Sequence, residues 1–347
     1  MRSHLPADPL IRDLVLRARA ARLDRRGFLR SAGLGLGVGA AALGTGSLAA
    51  CASGPQYGDG SGGTVRWANW TYYLDFDEEA QTYQSLNAFM ERTNILVEYF
   101  EDIDDNKTFI AKIKDQLKLG QDTGYDVFCL TDSSLVRLLE QDQLLGFDRS
   151  LMPHVDEGMI PLVQRASFDP DREWSIPYQA GMTGLVYNSQ LYPQGVQSVS
   201  DLWAPGLKGK VNLLSEQDDT VCLVMLEQGV DIEGDWGADE FYSALDVVEQ
   251  QIKAGQVYTV KGNSYVQDLQ TEAVWAGMAW SGDVAMLNDE AGEEIWKFVV
   301  PEAGATLFID SFCMPQANEV VDQVHQLVDY YYEPEVAAEV AAYVWYV

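Results

Sequence analysis

The stretch Ala276-Gly277-Met278-Ala279-Trp280-Ser281-Gly282-Asp283 runs apolar, then ends in a large aromatic, a small turn and a carboxylate. A π-face and a negative charge three residues apart suit an organic cation. Similar strand-end groupings occur at Trp70-Thr71-Tyr72-Tyr73, which supplies aromatic rings, and at Phe308-Ile309-Asp310, which supplies a ring and a carboxylate. In open α/β sheets, ligands sit beyond the carboxyl ends of strands, where loops project side chains into a crevice. Three such strand ends converging would form an aromatic box with acidic corners. The same residues also admit a plainer reading, as core edge and helix caps. Asp283 precedes a helical stretch at 284–288, and Glu216 and Asp219 precede one at 219–228, so each can serve as a cap. Glu216 and Asp219 also admit a third reading, as the acid and base of a secreted glycosidase. No nucleophile elbow, triad order or phosphate loop accompanies them. His4, His154 and His325 are scattered and no CxxC or HExxH spacing occurs, so no zinc site and no other cofactor is expected.

The elements that must position these residues alternate from residue 64 onward. Short apolar runs predict strands at 64–67, 96–99, 126–130, 174–178, 184–188, 210–214, 256–259, 276–280 and 296–300. Apolar residues at helical spacing predict helices at 76–93, 107–119, 134–141 (capped by Asp132 or Ser133), 219–228, 239–254, 265–271, 320–332 and 334–343, with a short helical turn opening at 200–203. This alternation implies parallel-type sheets covered by helices, an α/β class. Tyr330-Tyr331-Tyr332 lies inside one amphipathic helix and reads as packing.

The chain has 347 residues, 47% of them hydrophobic, enough for two domains with real cores. Its 23 basic and 53 acidic residues give a net charge of −30. Residues 1–50 hold eight Arg and three acidic residues, so 51–347 carries 15 − 50 = −35. Neutralising phosphates takes Lys and Arg, so no nucleic acid partner is expected. The excess fits a cationic ligand, but a uniformly acidic surface more often reflects solubility or a salty habitat.

At the N-terminus, Asp24-Arg25-Arg26-Gly27-Phe28-Leu29-Arg30 precedes a soft apolar run at 33–48, and Leu48-Ala49-Ala50-Cys51 follows. The pattern predicts a twin-arginine lipoprotein signal peptide over 1–50, removed before Cys51, with lipid on Cys51 as the membrane anchor. The run falls short of the ~20 apolar residues of a membrane span. Residues 51–63, rich in Gly and Ser, read as a flexible tether. Of the remaining cysteines, Cys129, Cys222 and Cys313 each sit in an apolar run and are expected to be buried free thiols.

Taken together, the pieces resemble the periplasmic spermidine/putrescine-binding proteins, the solute-binding lipoproteins of polyamine ABC importers. The matching pieces are Asn69-Trp70-Thr71-Tyr72-Tyr73, Gly124-Tyr125-Asp126-Val127, Trp174-Ser175-Ile176-Pro177-Tyr178, Gly184-Leu185-Val186-Tyr187-Asn188, Asp201-Leu202-Trp203 and Leu207-Lys208-Gly209-Lys210. The series continues with Gly277 to Gly282, Asp310-Ser311-Phe312-Cys313-Met314-Pro315 and Pro334-Glu335-Val336-Ala337. The resemblance implies a two-lobe periplasmic-binding-protein-like (type II) fold, hinged between lobes. Lobe 1 would comprise 64–183 and 307–347, its C-terminal part truncated, and lobe 2 would comprise 184–306. It implies a non-catalytic monomer that captures putrescine or spermidine between the lobes and delivers it to a membrane permease driven by an ATPase. Such a protein would be exported and held at the outer face of the cytoplasmic membrane or in the periplasm. Other cationic or amino solutes, or ferric iron, are the alternatives within the family.

Residue by residue, the resemblance puts Trp70 and Trp280 on ring-stacking positions, Phe308 on another aromatic position and Asp310 on an ammonium-binding carboxylate. Glu216 and Asp219 fall near the acidic pair of the second lobe, and Tyr73 and Tyr346 on tyrosines lining the site, with Thr71 beside them. Asp283, Ser133 and Phe308 match the putrescine-binding branch. Tyr72 departs from the pattern, standing where the family often carries an acid.

Overall fold

The computed structural model describes residues 60–77 and 79–346. The expected signal peptide, Cys51 and most of the tether lie outside the described residues.

The chain opens with β1 (Thr64–Trp70), then a small hairpin of β2 (Phe76–Asp77) and β3 (Thr82–Tyr83) leading into α1 (Gln84–Thr93). The continuous helix expected over 76–93 is therefore split. The Asp77 carboxylate accepts the Glu79 and Ala80 amides and turns the chain, and Phe76 packs on Tyr83 at 5.1 Å. Next come β4 (Leu96–Ile103), α2 (Asn106–Leu119), β5 (Val127–Thr131), α3 (Asp132–Glu140), β6 (Leu144–Leu145) and α4 (Pro153–Gly158). α2 is capped by Asp105, whose side chain accepts the Thr108 amide, and it closes on Gly120. α3 has Thr131 at its N-cap with no side-chain cap bond, so neither Asp132 nor Ser133 caps it. Asp132 instead accepts from Arg172 and Ser311.

A single 13-residue strand, β7 (Ile176–Asn188), replaces the two short strands expected at 174–178 and 184–188. Its middle lacks apolar alternation because residues of both its faces are buried there. After it come β8 (Val211–Leu214), α5 (Gln217–Glu227), α6 (Ala238–Lys253), β9 (Val257–Lys261), α7 (Tyr265–Gln270), β10 (Ala276–Trp280), α8 (Ser281–Ala291) and β11 (Trp296–Val299). The chain returns through β12 (Thr306–Pro315), then α9 (Val321–Tyr331) and α10 (Pro334–Val344). Phe308 to Asp310 thus lies inside a long strand and not at a strand end.

The sheet runs β4-β1-β5-β12-β7-β10-β8-β9, with β11 also on β7. β1 pairs in parallel with β4 and β5, and β8 in parallel with β9 and β10. β7 and β12 pair antiparallel with each other and with their neighbours, so the sheet is mixed where parallel pairing was expected throughout. These two long strands carry the chain from one set of parallel strands to the other and back. On one side of them, Trp67 is fully buried among Tyr99, Tyr178, Phe312 and Tyr331. On the other, Leu213, Val221, Met225, Leu269 and Met278 form a second apolar packing. Tyr330 and Tyr331 are buried, with the Tyr330 hydroxyl donating to the Ser85 carbonyl, as the packing reading expects. Cys129 and Cys313 are buried and free, while Cys222 is free but only half-buried. Among the described residues, no helix is long and apolar enough to cross a membrane.

Candidate functional site

Where the two strand sets meet the crossing strands lies a small cavity of about 20 Å³, lined by Trp70, Tyr73, Thr131, Glu216, Asp219, Asn263, Trp280, Phe308 and Asp310. Each wall follows from a local feature. Trp70 and Trp280 are the last residues of β1 and β10, so both project past carboxyl ends of strands. Phe308 and Asp310 are two apart on β12 and so share a face. Asp219 sits in the first turn of α5, and Glu216 just before it.

The aromatic rings form a closed circuit. Trp70 meets Trp280 edge-on at 6.2 Å, Trp280 meets Phe308 at 6.3 Å, and Phe308 meets Tyr346 at 5.7 Å. Tyr346 meets Tyr73 at 5.4 Å, and Tyr73 returns to Trp70 at 6.2 Å. β7 leaves room for this circuit at Gly181, which pairs with Phe308. A Cβ there would lie 2.7 Å from the Phe308 ring and 2.8 Å from that of Tyr346.

The acidic groups stand around that circuit. Asp310 accepts from the Tyr73 hydroxyl at 2.6 Å and from Thr131 at 2.7 Å. Burial still pushes its carboxyl up to about 7. Asp219 takes donors on both oxygens: Thr183 at 2.5 Å and Thr306 at 3.1 Å on one, the Trp280 indole at 2.8 Å on the other. It thereby ties α5 to both crossing strands and fixes the Trp280 ring, and burial raises its pKa above the usual carboxylate range. Glu216 caps nothing on its own helix. It reaches across to the start of α2, accepting the Asn106 amide at 2.6 Å and the Asn106 side chain at 3.0 Å, and burial pushes it up to about 7. The lining includes no Lys, Arg or His. Among the described residues, none of these three carboxylates has a basic partner within ion-pair distance. Each raised pKa is therefore desolvation without a compensating cation.

Of the eleven residues singled out for the ligand, the cavity wall contains Trp70, Tyr73, Glu216, Asp219, Trp280, Phe308 and Asp310. Tyr346 stands one layer back, completing the ring circuit and donating to Asp283 at 2.8 Å. Asp283 lies behind Trp280, in the first turn of α8, its carboxylate also accepting from Tyr265 at 2.8 Å. Burial pushes it up to about 6. Ser133 is exposed on α3, and Thr71 touches the site through its carbonyl, 3.5 Å from the Asn263 side chain. Tyr72 points away, 36% exposed, its backbone in the left-handed region with its amide donating to Glu101. Sequence reasoning missed Thr131, Asn263 and Asn106. Thr131 carried a usable signal, since it ends an apolar strand run. Asn106 and Asn263 carried none, because their role is to meet residues over 100 positions away.

Residues 84–347 match the family model described as bacterial extracellular solute-binding protein. The chain is 26% identical over 301 residues to the putrescine-binding periplasmic protein PotF of Escherichia coli, covering 82% of this chain and 77% of that protein. It is 25% identical over 266 residues to the spermidine/putrescine-binding periplasmic protein 1 of Haemophilus influenzae, covering 76% and 71%. Among solved structures, a putative spermidine/putrescine ABC transporter from Listeria monocytogenes superposes with a TM-score of 0.69 at 24% identity, covering 81% of each chain. The Tp0655 lipoprotein of Treponema pallidum superposes at 0.68 and 21% identity, covering 80% and 83%. These two likenesses concern the fold.

Proposed function

Because the chain belongs to the bacterial extracellular solute-binding proteins, we propose that it captures a polyamine, putrescine or spermidine, for an ABC importer and performs no chemistry on it. The observation that carries this reading is the set of buried carboxylates around an aromatic circuit with no cation among the described residues to neutralise them. A polyamine supplies what is missing: ammonium groups for Asp310, Glu216 and Asp219, and methylenes for the rings of Trp70, Trp280 and Phe308. Removing an ammonium from water is costly unless acceptors replace its shell. Each cation–π contact adds about 0.5–2 kcal/mol. The relatives named for putrescine and spermidine support the same solute class.

The lobes of this reading are 64–183 with 307–347, and 184–306, with β7 and β12 as the hinge between them. Acids on both sides give the solute a reason to favour the shut form, since it contacts both only there. Ferric iron would call for free tyrosinates, yet the one tyrosine in the cavity wall, Tyr73, donates to Asp310, and Tyr330 and Tyr331 are in the core. Of the carboxylate pair a glycosidase would use, Asp219 already accepts hydrogen bonds on both oxygens and Glu216 accepts two from Asn106 on one. Delivery would pass to a permease and an ATPase on other chains, with lipid on Cys51 keeping the protein, exported by the twin-arginine route, near them. The test is calorimetric titration of the exported domain with putrescine, spermidine and 1,4-butanediol. Stoichiometric 1:1 binding of an amine and none of the diol is expected. Equal affinity for the diol would refute a charge-driven site.

A further inference from the structure

At the rim of the cavity, the segment joining β4 to α2 lies directly on the turn joining β9 to α7, which also places Asn263 in the cavity wall. The Asp104 carbonyl accepts the Asn263 amide at 3.0 Å. One Asp104 carboxylate oxygen accepts the Ser264 amide at 2.8 Å, and the other faces the Ser264 hydroxyl at 3.3 Å. The backbone of Gly262 comes so close that a Cβ there would stand 1.8 Å from the Asp104 carbonyl oxygen and 2.5 Å from its carbon. Gly262 does not have a left-handed φ, since it is not among the positive-φ glycines. Its own backbone would therefore accept alanine, and only the opposing segment excludes a side chain. The neighbouring Glu216–Asn106 contact spans the same gap, and Asn106 passes it on. Its amide donates to Thr131 at 2.9 Å, and Thr131 donates to Asp310 at 2.7 Å.

We propose that Gly262 and Asp104 form a latch between the two lobes, positioning residues that hold the cavity shut by protein–protein contact with no solute involved. The proposal rests on the two-lobe reading above, but not on the identity of the solute. Gly262 is the enabling residue, because the Asp104 backbone fits only against a bare Cα. Asp104 is the directional one, because its carbonyl and carboxylate together grip two successive amides of the turn. A bidentate grip on adjacent amides sets the angle of one lobe against the other, which a single apolar contact would not. Closed and open forms then exchange even in the empty protein, and solute binding draws on the closed fraction. Any loss of that fraction lowers apparent affinity in proportion.

The test uses the exported domain carrying Gly262→Ala or Asp104→Ala, with X-ray scattering of the empty and the putrescine-saturated protein, thermal melting and calorimetry. Gly262→Ala is expected to raise the radius of gyration of the empty protein and weaken putrescine binding at least tenfold, with the melting temperature of the lobes unchanged. Asp104→Ala, which removes the exposed side chain and leaves the space, is expected to weaken binding about two- to fivefold. Should Gly262→Ala fail to fold, Asp104→Ala decides the matter alone. An unchanged radius together with unchanged affinity in the folded variants overturns the latch. If the wild type binds no polyamine, the proposed solute is wrong, and the radius of the empty variants still decides the latch.

Discussion

Asp310 combines burial on β12, two hydroxyl donors and no basic neighbour. Its pKa in the fold, about 7, stands above that of an unfolded aspartate. A group raised in this way contributes its stability below the unfolded pKa and loses it as pH climbs through the folded one. Asp310→Asn keeps the shape and removes the charge. We expect diamine binding to weaken at least tenfold at pH 7.5, measured by calorimetry. The melting temperature of the empty variant should equal that of the wild type below about pH 4 and exceed it at pH 8. Wild-type affinity in the variant would remove Asp310 from the site. Trp280 and Asp219 show a second lesson at this scale. The Trp280 indole in the cavity wall is aimed by a carboxylate that also anchors two strands, so loss of that carboxylate is expected to disturb packing and the cavity together.

At the scale of elements, the site depends on β7 and β12 running antiparallel in one register, with Phe308 opposite Gly181 and Asp310 opposite Gln179. Alternation along β12 turns Phe308 and Asp310 to the cavity and leaves Leu307 54% exposed on the other face, paired with the exposed Met182. Gly181→Val is therefore expected to push the Phe308 and Tyr346 rings out of their circuit. Overpacking of this kind costs about 1–3 kcal/mol of stability, and putrescine affinity should fall with it. Urea unfolding and calorimetry on the same preparation check both. Unchanged affinity would mean that Phe308 does not shape the cavity.

For the whole molecule, four buried acids with raised pKa values stand at one cavity: Asp310 and Glu216 near 7 and Asp219 above the usual carboxylate range in its wall, and Asp283 near 6 just behind. Exposed acids such as Asp102, Asp122 and Asp201 are held below the usual range by hydrogen bonds, chiefly from Tyr125, Arg66 and the Gln197 amide respectively. Their contribution is lost only at lower pH, so the two sets act in different windows. The empty protein should accordingly lose the contribution of these acids as pH rises from about 4 to 7. A bound dication should cancel that loss by stabilising the ionised carboxylates. Binding at pH 6 should release protons, and that release should vanish at about pH 8.5, where the acids are already ionised. Calorimetry in two buffers of different ionisation enthalpy reads this directly. A proton count of zero at pH 6 would contradict a cavity held by these acids.

The amino-acid sequence by itself determined the α/β alternation, because apolar period and cap chemistry are local. It also offered Trp70, Trp280, Phe308 and Asp310 as candidates, because aromatics at strand ends and acids close to them are visible in order along the chain. Only the tertiary structure decided what each acid touches. Glu216 precedes a helix, yet it serves the start of a different one, and Asp283 faces two phenols instead of the cavity. Tyr346 reaches the ring circuit from the far end of the chain, and Gly262 meets Asp104 from 158 positions away. Hydrogen-bond partners and close approaches depend on distances between segments far apart in sequence, and no local pattern encodes a distance.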